Sequence, residues 1–178
     1  MSDLEFGKTS DIRLIHVTTS PVFLDDCEAL TDWTPSSSLS LNASDFKEGA
    51  NSIEFSGAGN TEFQKVFATP YNSGIAPFDA VAQFWYYISD ASLAGNDLEV
   101  GIGSGGAAGT DEYTWTVGGL SDGWNLITLD ITDADVTGMP DLNAINWFSI
   151  NSEKSGTVTS RLDEIQILDR YAGLTRYS

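Results

Sequence analysis

The residues of this chain that could do chemistry are mostly carboxylates and aromatics. Asp and Glu number 26 against 8 Lys and Arg, for a net charge of −18 and a pI near 4.1. His16 is the sole histidine and Cys27 the sole cysteine. A Ser–His–Asp triad or a His-based zinc site needs partners that this composition does not offer. Two-carboxylate hydrolysis needs one pair of acids at a defined separation, and nothing in the sequence singles a pair out. An internal disulfide is impossible, and Cys27, between apolar and acidic neighbours in an expected strand, reads as a buried inert thiol. The expectation is a protein that binds and does not catalyse. Its negative charge repels nucleic acid and anionic membranes, and it suits either solubility in a salty medium or carboxylate-bound cations.

The aromatics are concentrated in Phe84, Trp85, Tyr86 and Tyr87, inside residues 81–90 (VAQFWYYISD). Aromatic and β-branched residues fit a pleated surface, and this run has no Gly or Pro. Side chains alternate along a strand, so Phe84, Tyr86 and Ile88 share one face and Trp85 and Tyr87 the other. With large apolar area on both faces, the strand belongs in the middle of a sheet.

Short apolar runs alternate with turn-rich gaps through the rest of the chain. Strands are expected near 22–25, 38–43, 51–57, 62–68, 81–89, 97–103, 112–117, 124–131, 144–151 and 162–169. The breakers include residues 56–60, Thr69 with Pro70, the glycine-rich stretch 103–109, and residues 121–123 and 138–140. No segment keeps a helical period, and no run approaches the roughly 18 apolar residues of a membrane span. This pattern predicts an all-β fold: a two-sheet antiparallel β-sandwich over residues 21–170, with an N-terminal extension over 1–20 and a tail over 171–178. The N-terminus has no basic-then-apolar export signal.

Several blocks, in order, resemble the β-jelly-roll, galactose-binding-like domains of carbohydrate-binding modules. Residues 23–33 (FLDDCEALTDW) are similar to the acidic opening of such modules, and residues 47–55 (KEGANSIEF) to their second strand. The Phe84–Tyr87 strand follows, then residues 122–130 (DGWNLITLD), similar to a penultimate block. Residues 160–168 (SRLDEIQIL) resemble a closing strand. The resemblance covers about residues 22–169.

It implies a jelly roll and two kinds of site. A structural calcium would join the first and last strands, with Asp25, Asp26 and Glu28 from the opening, Asp163 from the close and Glu48 nearby as candidate ligands; calcium takes six to eight hard oxygens. Glycans would stack on Trp85 and Tyr87, outward on the concave sheet, or on Trp115 and Trp147, with Asn146 or Asn151 as hydrogen-bonding partners. The competing reading fills the core or an interface with these rings, and it assigns Trp33 and Trp124 to the framework.

Residues 1–20 fall outside the resemblance. Within them, residues 11–18 form an alternating strand candidate, and Phe6, Ile12, Leu14, Ile15 and Val17 would dock on a partner. With no export signal, this points to a non-enzymatic virion protein, a capsid decoration or tail accessory subunit of a bacteriophage, at the virion surface among other coat subunits, with its jelly roll displayed outward where it could adhere to glycans. The alternative is an extracellular glycan-binding module, free-standing or appended.

Overall fold

The computed structural model describes residues 21–35 and 37–171. The expected docking arm (Phe6, Ile12, Leu14, Ile15 and Val17) and residues 172–178 lie outside the described residues. Among the described residues, twelve strands form two six-stranded antiparallel sheets. They are β1 (Val22–Asp25), β2 (Trp33–Thr34), β3 (Leu39–Asn42), β4 (Ser52–Gly57), β5 (Thr61–Tyr71), β6 (Ala80–Ile88), β7 (Ala94–Ala107), β8 (Thr110–Val117), β9 (Gly123–Asp130), β10 (Asp135–Thr137), β11 (Ile145–Lys154) and β12 (Val158–Asp169). A 3-10 turn, Ile131–Asp133, follows β9. The first sheet runs β3-β4-β12-β6-β9, with β1 beside β12; the second runs β10-β8-β7-β11-β5-β2. The fold is the expected jelly-roll sandwich.

The aromatic strand is where its pattern places it. β6 lies between β12 and β9, with Phe84, Tyr86 and Ile88 fully buried and Trp85 and Tyr87 half-buried on the outer face. Across the sandwich, β11 supplies Phe148 and Ile150, β7 supplies Val100 and Ile102, and β5 supplies Phe63. An edge-on ring contact joins the layers, Phe84 to Phe148 at 5.7 Å, and within the second sheet Trp33 meets Phe148 at 6.0 Å. Burying side chains of this size contributes about 1.5–3 kcal/mol each. The opening strand pairs with the closing one, with Asp25 opposite Ile165.

Two breakers do not break. Pro70 lies inside β5, on an outermost stretch of the second sheet, where a missing N–H leaves no ladder bond unmade. The glycine-rich stretch 103–109 forms the end of a β7–β8 hairpin, closed where Ala107 pairs with Thr110. Cys27 lies just past β1 in a bend, at φ 59°, and not in a strand.

One end of the sandwich closes on charge. The Lys154 and Glu62 side chains are 0% exposed and form an ion pair at 2.6 Å. The Tyr86 hydroxyl donates to Glu62 Oε2 at 2.6 Å and lies 3.1 Å from Ser160 Oγ. Lys154 also donates to the Gly59 carbonyl at 2.9 Å and sits 4.3 Å over the Phe55 ring. Burial pushes the Tyr86 phenol well up, and the Glu62 charge adds to it.

Candidate functional site

The outer face of the first sheet holds the predicted stacking residues Trp85 and Tyr87, together with Trp124. Lys47 Nζ lies 4.8 Å over the Trp85 ring and 5.7 Å over Trp124. The Arg161 guanidinium lies 4.2 Å over Tyr87, which meets Trp124 edge-on at 5.5 Å. Asp45 fixes the cover, accepting from Trp124 Nε1 at 2.8 Å and pairing with Arg161 at 2.6 Å, while Glu54 accepts from Arg161 Nε at 2.7 Å. Cations over aromatic faces are mutually stabilising, so these rings are capped and are not bare platforms. Trp124, assigned to the framework, belongs to this surface layer.

The acidic cluster is stitched by main-chain donors. Asp163 is fully buried; its Oδ2 accepts from the Lys47 and Glu48 N–H groups at 2.6 and 3.1 Å. Its Oδ1 is buried with no hydrogen-bond partner. Burial raises the Asp163 carboxyl, with the Glu28 charge adding to it. Glu28 accepts from the Ala50 and Asn51 N–H groups at 2.7 and 3.1 Å, and the Ala50 donor is the main reason its carboxyl titrates low. Burial, then the Glu48 and Asp163 charges, raise Glu164.

The five acids expected to hold calcium do not form one cage. Asp25 turns to Lys65 across the sandwich at 2.5 Å and accepts from the Cys27 N–H, and Asp26 accepts from the Glu28 N–H. Among the described residues no three His, Cys, Asp or Glu side chains converge as a metal site. The Cys27 thiol is raised well above its ordinary value by burial and then by Asp25, as expected of an inert buried thiol.

The two remaining tryptophans part company. Trp115 packs in the core opposite Val100, its Nε1 donating to the Asp130 carbonyl at 2.8 Å, so it offers no ring to a ligand. Trp147 is only 6% exposed but stands outside the core cluster, on the outer face of the second sheet. There two rows cross three strands: Glu112, Gly103 and Trp147 in one, Thr114, Gly101 and Ser149 in the next. The glycines of β7 carry no side chain, so the row between β8 and β11 dips to backbone and the flanking side chains lean in over it. A Cβ at Gly101 would lie 2.7 Å from Ser149 Oγ, 3.5 Å from Glu112 Oε2 and 3.7 Å from Trp147 Nε1. Three polar groups thus converge over one glycine.

Their surroundings are built. Glu112 is 6% exposed and its Oε1 accepts from the Gly109 N–H at 2.5 Å; Ser149 is 3% exposed. The Trp147 indole N–H is buried without a partner. Asn146 Oδ1 accepts from the Gly106 N–H at 2.8 Å and holds the hairpin end as one wall. Asn151 stands in the next row, beside Glu99 and Thr116. A buried indole donor, a carboxylate acceptor and a hydroxyl over close-approach backbone suit a neutral, polyhydroxylated ligand. Sequence reasoning missed Glu112, Ser149 and Gly101, although alternating glycines inside an otherwise apolar strand were a readable sign of close approach.

No family model matches the sequence, and no curated protein matches it. Solved structures do. The family 11 carbohydrate-binding module of the cellulosomal cellulase Lic26A-Cel5E of Clostridium thermocellum aligns with a TM-score of 0.62 at 14% identity, over 91% of this chain and 100% of that one. A family 11 module from the same organism, in complex with a β-1,3-1,4-mixed-linked tetrasaccharide, aligns at 0.57 and 13% identity, over 83% of this chain and 95% of that one. The family 30 module of the cellulosomal cellulase Cel9D-Cel44B of Clostridium thermocellum gives 0.54 at 11% identity, over 86% and 95%. At these identities the likeness is one of fold: the chain is built as the β-sandwich of carbohydrate-binding modules.

Proposed function

We propose that this chain is a non-enzymatic glycan-binding module whose ligand lies on the outer face of the second sheet, across β8, β7 and β11. The observation that carries the reading is the unpartnered, buried Trp147 indole N–H beside Glu112 and Ser149 over Gly101. A buried donor left unmade costs about 1–3 kcal/mol, and a ligand hydroxyl that turns Ser149 aside to reach the indole would relieve that cost. The net charge of −18 disfavours anionic polysaccharides and leaves neutral glycans. A structural neighbour was solved with a β-1,3-1,4-linked tetrasaccharide, so mixed-linkage β-glucan oligosaccharides are the first probe. On this reading the module works outside the cell, where such polysaccharides lie.

Calorimetry with that tetrasaccharide tests the reading. Glu112→Gln and Trp147→Phe should weaken binding about tenfold or more, at about 1.4 kcal/mol per decade, while Trp85→Ala and Tyr87→Ala leave it unchanged. Binding that survives the first pair and fails in the second would move the site to the first sheet. Absence of binding to every neutral glucan removes the proposal. The coat-subunit expectation has no described residue behind it, because its docking side chains lie in residues 1–20, and no observation bears on its virion address.

Calcium stays a proposal with a smaller donor set. Asp163 Oδ1 is a free buried oxygen with the Glu28 charge beside it, and because no three carboxylates converge there among the described residues, main-chain carbonyls would have to supply most of the remaining oxygens. A bound cation would offset the charge that raises Asp163 and Glu164. At a hundredfold excess over Kd it would stabilise the fold by about 2.7 kcal/mol, or ~5–10 °C in Tm for a chain of this size. Thermal melts with calcium and with EDTA should differ by that amount, and Asp163→Asn should abolish the difference. Identical melts reject the site.

A further inference from the structure

Two rows of the second sheet's outer face reach β5 and meet its edge differently. The Ser149 row goes on through Gln64 to Thr34 on β2. The Trp147 row ends at Val66, and among the described residues no strand pairs beyond it. Followed backward, β2 stops at Trp33, and Asp32, at φ 63°, turns the chain aside. Beside Val66 the edge opens into a cavity of about 460 Å³ lined by Asp32, Lys65, Phe67, Thr69, Pro70 and Tyr71.

We propose that this cavity is the end of the glycan site and takes the terminal sugar of a neutral chain lying in the trough over Gly101 and Gly103, an inference that rests on the glycan reading of that trough. Continuity carries it. Glu112, Gly103, Trp147 and Val66 stand side by side on β8, β7, β11 and β5. A chain on this row crosses about 14 Å of sheet and comes to the edge at Val66, which is 47% exposed. Its next ring meets the cavity. That cavity lies near the small end of the ~300–1,000 Å³ of ligand pockets, room for a terminal sugar. The Lys65–Asp25 ion pair crosses to the other sheet and shuts its core side. A chain that enters therefore stops there and does not thread between the sheets.

The lining suits a sugar ring. Tyr71 is half-buried and braced edge-on against Phe67 at 5.2 Å, so a flat apolar face is fixed in place before a ligand arrives. The Asp32 carboxylate and the Thr69 and Tyr71 hydroxyls supply acceptors and donors for ring hydroxyls. Lys65 has no free charge to offer an anion. Its ammonium is paired with Asp25 and lies 5.3 Å over the Trp33 ring and 5.8 Å over Phe67. Pro70 lies on this edge without an N–H, which disfavours a pairing strand as the occupant and leaves a small ligand.

Titration calorimetry on the full chain, with mixed-linkage β-glucan oligosaccharides of increasing length, tests the assignment. Affinity should step up about tenfold at the length that first carries a ring past Val66. Glu112→Gln should lower the whole series, whereas Tyr71→Ala and Thr69→Val should each flatten the step. Thr69 is exposed, so its variant keeps the test if Tyr71→Ala fails to fold. On a long soluble β-glucan the tight sites should count chains and not sugar units. A step that survives both variants overturns the proposal and leaves the trough as the whole glycan site. Tight sites that multiply with chain length also overturn it. A parent that binds no neutral glucan overturns it together with the reading beneath it.

Discussion

Lys154→Met should cost the fold about 3–5 kcal/mol in chemical denaturation. The reason is the state it leaves behind. Glu62 stays fully buried with only the Tyr86 hydroxyl at 2.6 Å to satisfy it. The pair as a whole is a poor source of stability, because both charges have left water. The double variant Lys154→Met with Glu62→Leu should therefore recover most of the loss, with Tyr86 keeping Ser160 as its partner. A double variant as unstable as the single one would show that the pair itself, and not the orphaned charge, holds this end of the sandwich.

The pH dependence carries the same logic. Burial lowers the Lys154 amine, opposed by the Glu62 charge. A base whose folded pKa is depressed binds fewer protons in the native state, so its contribution to stability rises with pH between the folded value and the ordinary lysine value. Glu62→Gln removes the opposing charge and widens that window downward. Its melting temperature should then gain more from alkaline pH than that of the parent.

Gly101→Ala should weaken glycan binding roughly 30- to 150-fold while leaving the sandwich folded. The new methyl would stand 2.7 Å from Ser149 Oγ and within 4 Å of Glu112 Oε2 and Trp147 Nε1, in the space where the three converge. Two hydrogen bonds to a ligand lost at about 1–1.5 kcal/mol each give that range. The obstructing atom is a serine hydroxyl and not backbone, so the chain absorbs the change by turning Ser149. Gly105→Ala makes an informative contrast: its Cβ would fall on the Thr110 main chain, and the hairpin itself would deform. Titration calorimetry beside a thermal melt separates the two outcomes. Full affinity in Gly101→Ala would mean that the ligand does not descend to the floor of the trough.

The sheets were readable because their strands carry period-two alternation with bulky residues, as in β6 and β11. Sheet edges were not. Pro70 and the glycines of 103–109 stop a central strand but are tolerated at an outermost one or in a bulged hairpin, and sequence does not say which position a strand will take. The pairing of the opening and closing segments came through the family resemblance, and the structure has Asp25 opposite Ile165. The site was less legible. Trp85 and Tyr87 do face outward, but Lys47 and Arg161, 38 and 74 residues away in sequence, cover them. Trp115 and Trp147 have similar local alternation, and only the stacking of the two sheets puts one inside and the other outside. Glu112 gave no sign at all among 26 acids.

If the second sheet holds a glycan as proposed, the cation-capped rings of the first sheet leave the molecule one substitution from bivalency. Lys47→Ser would uncover Trp85 and the flank of Trp124 on the face opposite Trp147. A protein that grips one polysaccharide strand on each side becomes a cross-linker of fibres, and its hold on a dense matrix then grows through avidity without any better contact at either side.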